Sequence, residues 1–335
     1  MNFKVKNIIA KIISLPLRLC NLNYILIILR ELFKSNDVLI NFNLKPNKIG
    51  EINKIENILY SSLSIIIQGN PVYENDFTLE SIKLYQKTFP GCNLILSTWD
   101  NVDNNLVAEL LKINVIVIKN VIPTNKGVSN INLQIKSTLS GLNWAKKLNS
   151  IYIIKTRTDQ RIYASSILIY LINLSKAINK IESPNYCSRI IVSSKNTFSN
   201  RLYSISDMFQ FGYIDDLIDF WTVSEIDIVA FANYVSQNMI KFKIPSYAVE
   251  VPEIILSALY LNKKNHVLKW TQNDFEEILI KYFIVIDKEL IDIYWTKYKP
   301  IENPNEYYSE KATLYEFKFV DWFNIFTFGL VSKYD

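Results

Sequence analysis

One repeated pattern restricts this chain's fold more than any other feature. Short β-branched apolar runs end abruptly in polar residues, and segments of helical period separate them. The runs are residues 63–67 (LSIII), 93–97 (NLILS), 115–118 (VIVI) and 151–154 (IYII). Near-continuous apolar runs of this length are what strands buried on both faces require. Between the first two runs, Leu79, Ile82, Tyr85 and Phe89 mark one helical face, which Asp76 or Thr78 is expected to cap and Pro90–Gly91 to stop. Residues 106–111 predict a short amphipathic helix. Ile135, Leu139, Leu142, Ala145 and Leu148 predict a longer one, opened by Asn130. Strands alternating with helices join by right-handed crossovers, so the sheet is expected to be mainly parallel.

After residue 159 the pattern loosens. The spacing predicts a helix over 165–178, a strand over 190–193 and a strand entering a turn over 205–212. Pro252 suits a helix start, with Glu253 in the first turn. Residues 283–286 and 290–294 read as a late hairpin. The fold class expected is α/β: a single domain over residues 61–300 with a mainly parallel mixed sheet flanked by helices. A basic amphipathic extension (1–60) precedes it and an aromatic one (301–335) follows. The length of 335 residues accommodates this arrangement.

Composition removes several function classes. His266 is the sole histidine, in a polar Lys263–Lys264–Asn265 setting, so HExxH and multi-histidine metal sites are excluded. No nucleophile elbow accompanies it, so the acids and bases of any enzyme here are carboxylates. Cys20, Cys92 and Cys187 lie far apart without a CxxC, which fits a reducing compartment. The formal net charge of +5 suits phosphate-bearing substrates or an anionic membrane surface, and no nucleic-acid motif accompanies it. Residues 1–34 interleave Lys4, Lys6, Lys11, Arg18, Arg30 and Lys34 with apolar residues. That segment is either an amphipathic anchor in a membrane interface or a helix packed on the body. Its apolar run over 23–29 is too short to cross a bilayer.

Three strand ends carry polar residues that packing does not demand: Gln68–Gly69, Thr98–Trp99–Asp100, and Lys155 through Asp159. In open α/β sheets ligands sit beyond the carboxyl ends of strands, so all three should open onto one crevice. Each has a plainer reading: a turn, a helix cap, a surface ion pair. Lys155, Arg157 and Arg161 are cationic and Asp159 is the acid among them. Alternation puts Lys155, Arg157 and Asp159 on one side of an extended segment, where ammonium and guanidinium groups suit diphosphate oxygens. No Walker loop or GxGxxG is present.

In order, the chain reads SIIIQG-P, T-ES-K-YQKTFP, LILSTWD, N-NLQIKST-SGL-WA, YIIKTRTD, ISDMFQFG and PEIILSAL. These blocks, over residues 64–299, resemble the WavE lipopolysaccharide-synthesis family. The resemblance implies a glycosyltransferase acting in lipopolysaccharide core, O-antigen or capsule assembly in the bacterial envelope. The layout is also similar to the GT-A glycosyltransferase fold. By that likeness Gln68, Gly69, Thr98, Asp100, Asn132, Gln134, Lys155, Arg157 and Asp159 are the expected substrate-binding residues. The place of the GT-A DxD metal motif reads Arg157–Thr158–Asp159, with arginine for the first acid. One carboxylate is thin provision for a divalent cation. Either Asp159 shares magnesium or manganese with substrate phosphates, or Arg157 and Lys155 replace the metal, so that no cofactor is required.

The chemistry implied is transfer from a nucleotide-sugar donor to a lipid-linked or oligosaccharide acceptor. Asp207 or Glu253 would take the acceptor proton, since each sits in a family-like block away from the phosphate cluster. The location implied is cytoplasmic, peripheral on the inner face of the cytoplasmic membrane. The arginine in the DxD place also suits a non-catalytic scaffold of envelope assembly that keeps the fold without the activity.

Overall fold

The β-branched runs become the centre of a seven-stranded sheet of order β3-β2-β1-β4-β7-β6-β8. The structure, a computed structural model, describes residues 60–178, 188–296 and 314–329. Leu63–Gln68 (β1) is buried throughout. It pairs in parallel with Asn93–Trp99 (β2) on one side and Tyr152–Arg157 (β4) on the other. Ile116–Asn120 (β3) extends the sheet beyond β2. Gln210–Tyr213 (β7) runs antiparallel to β4 and to Ile190–Ser193 (β6), and Phe283–Ile286 (β8) is parallel to β6. This is the mainly parallel mixed sheet, flanked by helices, that the apolar runs predict.

The crossover helices are Phe77–Thr88 (α1), Asn104–Lys112 (α2) and Ile131–Lys147 (α3). α3 lies close against β1 at Gly141, where a Cβ would sit 2.5 Å from Ile66 Cγ2. α2 is capped by Asp103, which accepts from the Asn105 amide at 2.9 Å. Neither expected cap of α1 forms. Asp76 makes no side-chain cap bond. Thr78 Oγ1 instead accepts from Val72 N at 2.8 Å and donates to Thr158 O at 2.9 Å, tying the β1 loop to the end of β4.

Ile167–Ile178 (α4) follows the expected helix closely. Ile214–Trp221 (α5), Glu225–Phe242 (α6), Pro252–Lys263 (α7), Gln272–Tyr282 (α8) and Phe319–Phe328 (α9) complete the helical layers. The expected hairpin does not form. β8 joins the main sheet, and after a turn closed by Leu290 N on Asp287 O the chain leaves it. Ile293–Trp295 (β9) then pairs with Gln160–Ile162 (β5), antiparallel, in a separate two-stranded sheet. β8 is buried at every position, which a two-stranded surface hairpin would not provide. The expected basic extension, up to residue 59, lies outside the described residues. Among the described residues no helix is long and apolar enough to cross a membrane.

Candidate functional site

Register brings the polar strand ends level. Gln68 pairs with Ser97 on β2 and with Arg157 on β4, so the carboxyl ends of three strands open at one height. Gln68 is buried, its Oε1 accepting from Ser137 Oγ at 2.8 Å. Gly69 turns the chain with φ +117°, and a Cβ there would lie 3.0 Å from Thr158 Oγ1. Thr98 is buried and its hydroxyl has no hydrogen-bond partner. Asp100 is exposed just beyond the end of β2. Gln68 and Thr98 thus point into the protein at these two strand ends, and Asn70 and Asp100 just beyond them are exposed.

At the end of β4 the expected cation and acid meet each other. Arg157 Nε and Nη2 donate to Asp159 Oδ1 and Oδ2 at 2.9 and 3.0 Å. Trp295 of β9 donates its indole N–H to Asp159 Oδ2 at 2.9 Å, and the Arg157 guanidinium lies 5.7 Å from the Trp295 ring centroid. Burial pushes the Asp159 carboxyl up, but the Arg157 hydrogen bonds and charge outweigh it and hold the group below its usual range. Burial likewise opposes the Arg157 charge, and Asp159 more than restores it. Both oxygens of Asp159 are thus engaged, and this donor set does not fit a divalent cation. Among the described residues no group of three or more His, Cys, Asp or Glu is arranged to hold one.

Lys155 departs from its expected place. It is fully buried, where a diphosphate-binding ammonium would have to reach the crevice. Its Nζ donates to the Asp207 carbonyl oxygen and lies 4.7 Å from the Trp221 ring centroid. Alternation does put Lys155 on the side of Arg157, but β7 pairs at Lys155 and stops short of Arg157. Burial pushes the Lys155 ammonium down to about 8, against the attraction of Asp207. Lys155 therefore holds the loop before β7 from inside the protein. Trp221 Nε1 donates to Gln210 Oε1 at 2.6 Å, and Ser206 N donates to Thr197 Oγ1 at 3.1 Å, which fixes the same loop further.

Asp207, so held, is buried and its Oδ2 has no partner. Glu253, in the first turn of α7, faces it. Burial and then the Asp207 charge raise the Glu253 carboxyl above its usual range, against Arg201 and Asn196. Asn196 Nδ2 donates to Glu253 Oε1 at 2.9 Å. The fields of Asp207 and Glu253 both reach Arg157 and Lys155. The structure thus gathers Lys155, Arg157, Asp159, Asp207 and Glu253 into one electrostatic cluster, from β4, the loop before β7 and the start of α7. A carboxyl raised by burial and a like charge is what proton transfer near neutral pH calls for.

Other expected residues do not join the cluster. Asn132 Nδ2 donates to Asn125 O at 3.1 Å and Glu225 Oε1 at 3.2 Å, bracing the 119–130 loop against α6. Gln134 Oε1 is buried without a partner on α3. Arg161 turns away under α1, to Ser81 Oγ at 2.8 Å and Phe77 O at 2.9 Å. His266 contacts Asp274 Oδ1 at 2.9 Å, a structural pairing outside the cluster. Trp295, Asn196 and Arg201 belong to the site and were not anticipated. Their positions depend on pairings distant in sequence, so no local pattern marks them.

A family model described as WavE lipopolysaccharide synthesis matches residues 63–334. No curated protein matches the chain. Among solved structures, 4-diphosphocytidyl-2C-methyl-D-erythritol synthase from Anaerococcus prevotii DSM 20548 aligns at 12% identity and a TM-score of 0.38, covering 70% of this chain and 92% of its own. A glycosyltransferase involved in the glycosylation of the major capsid of PBCV-1 aligns at 11% identity and a TM-score of 0.32, covering 55% and 76%.

Proposed function

The chain belongs to the WavE lipopolysaccharide synthesis family, and on that premise we propose that it is a glycosyltransferase. It moves a sugar from a nucleotide-sugar donor to a growing lipopolysaccharide, O-antigen or capsule acceptor. One observation carries the reading: Arg157 stands at the carboxyl end of β4, and the loop that carries Asp207 enters β7 beside that same end, held there by Lys155.

In a single displacement the acceptor hydroxyl oxygen attacks the anomeric carbon. The bond from that carbon to the diphosphate oxygen breaks, and the diphosphate leaves with the electron pair. Glu253 takes the hydroxyl proton, its raised pKa suiting it as the base. Asp207, buried beside it, keeps the Glu253 carboxyl raised and so tunes the base. Arg157 supports the growing charge on the diphosphate, and Asp159 and Trp295 fix its plane. Arg157 stands in place of a metal, so the reaction requires no divalent cation. A peripheral position on the inner face of the cytoplasmic membrane completes the proposal, with the basic residues before Lys34 on anionic lipid. Deleting residues 1–33 should then release the protein from membranes, and full-length protein already free of membranes at low salt would contradict it.

The non-catalytic scaffold remains the second reading, because the Arg157–Asp159 pair is closed on itself. Thermal unfolding with a panel of nucleotides and nucleotide sugars separates the two. An enzyme is stabilised by at least one of them, by about 2.7 kcal/mol at a hundredfold excess over Kd. A scaffold is stabilised by none.

A further inference from the structure

On the loop that follows β6 lies a cavity whose chemistry is the reverse of a phosphate site. Its volume is about 620 Å³, within the range of small-molecule sites. α8, α9, residues 315–317 and the loop at Ser199–Asn200 enclose it. Planar amides dominate its polar lining: Asn200, Gln272, Asn273 and Asn324. Tyr315 and Phe328 add exposed aromatic surface.

Charge narrows the ligand. Glu276, Glu316 and Asp321 line the cavity, and among the described residues no lysine or arginine does. A nucleotide, a phosphorylated glycan or a uronic acid would meet three carboxylates, of which the described lysines pair Glu316 alone. Amides and carboxylates that pair with hydroxyls, next to aromatic faces that stack on C–H surfaces, instead suit an uncharged sugar. Some of these groups are already set in direction. Gln272 Nε2 donates to Glu276 Oε1 at 2.8 Å, and Tyr315 N donates to Asn200 Oδ1 at 3.1 Å. Lys288 and Lys318 hold Glu316, at 2.7 and 3.3 Å.

Position ties the cavity to the reaction. The loop that supplies Ser199 and Asn200 also supplies Asn196, which donates to Glu253, and Arg201, whose charge acts on Glu253. The first turn of α8, with Gln272 and Asn273, is bonded to the same loop, since Tyr203 donates its hydroxyl to Asp274 Oδ2 at 2.5 Å, and that loop follows the carboxyl end of β6. We propose that this cavity is a subsite for an uncharged segment of the acceptor glycan, holding the chain while its terminal hydroxyl reaches Glu253. The inference rests on the glycosyl-transfer reading and adds to it where the acceptor lies and what charge it carries.

Saturation-transfer NMR on the full-length protein tests it, with dephosphorylated core oligosaccharide from lipopolysaccharide as probe. Asn273 and Asn324 are exposed, so the double variant Asn273→Ala/Asn324→Ala should fold. It should bind the probe about tenfold more weakly, since two hydrogen-bonding amides are lost. Nucleotide-induced thermal stabilisation, measured on the same samples, should not change. Glycan binding that is undetectable in the wild type, or equal in wild type and variant, overturns the subsite. Absence of nucleotide stabilisation in the wild type overturns the transferase reading instead, so the two failures are told apart.

Discussion

Arg157 grips both oxygens of the Asp159 carboxylate, at 2.9 and 3.0 Å, and Trp295 donates to one of them. The acid nearest the strand end is thereby spent on orienting a guanidinium. On the proposed reading, the fixed charge that meets a diphosphate belongs to the protein, with one acid in the DxD place.

Substitution should separate the two partners. Arg157→Lys keeps the charge but loses the planar fork, at a cost of roughly 1.5–3 kcal/mol, or one to two decades in kcat/KM. Asp159→Asn leaves Arg157 unanchored and should also lower the rate. Both effects should be the same with and without a chelator. Activity that disappears on chelation and returns with manganese or magnesium would contradict a metal-free site.

Lys155 should behave as a positioning residue. Lys155→Met removes the donor to the Asp207 carbonyl and should lower kcat about tenfold, the worth of one hydrogen bond to a charged group, with nucleotide affinity unchanged. Its pH signature has a definite sign. With the folded pKa at about 8 and the ordinary lysine value at 10.5, the unfolded chain binds more protons between those values. Wild-type stability should therefore rise relative to Lys155→Met as pH increases through that window. A flat difference from pH 8 to 10 in urea melts would count against the burial of this ammonium.

Glu253 carries the opposite linkage. Its folded pKa is raised above 4.5 by burial and by Asp207, so the folded state binds more protons once pH exceeds that value. Stability falls as pH rises from there to the folded pKa, and above it the ionised carboxyl stays costly. Glu253→Gln should raise the melting temperature near neutral pH, lose that advantage below pH 4.5, and abolish transfer. A variant that is destabilised at pH 7 would place Glu253 in a purely structural role.

Gly69 can be tested through the backbone. At φ +117°, with Thr158 Oγ1 3.0 Å from a built Cβ, Gly69→Ala should cost about 1–3 kcal/mol of stability. It should also weaken nucleotide binding by disturbing the Thr158–Asn70 bond of 2.6 Å. Equal stability and binding in the variant would remove this turn from the site.

Much of the fold is legible in the sequence because β1, β2 and β4 are buried on both faces, leaving an unbroken apolar signature that ends where the polar residues begin. The strand-end rule then locates Arg157 and Asp159. Burial of Lys155 is not legible, since alternation cannot tell where a neighbouring strand stops, and β7 covers Lys155 but not Arg157. The β8–β9 hairpin fails for a related reason. Adjacent apolar runs suggest pairing, yet β8 finds β6 and β9 finds β5. Trp295 reaches Asp159 only through that long-range pairing. Asp207 and Glu253 stand out in sequence as acids in separate blocks, and only the folded chain makes them neighbours.

The most direct measurement follows radiolabelled sugar from a panel of nucleotide-sugar donors into lipopolysaccharide acceptor, for wild type, Glu253→Gln and Arg157→Ala. The account predicts transfer from at least one donor by the wild type, matched by release of free nucleotide. Glu253→Gln should transfer nothing while still binding that donor, and Arg157→Ala should lose both transfer and donor affinity. Transfer by Glu253→Gln at the wild-type rate, or a wild type that neither binds nor transfers any donor, would contradict it.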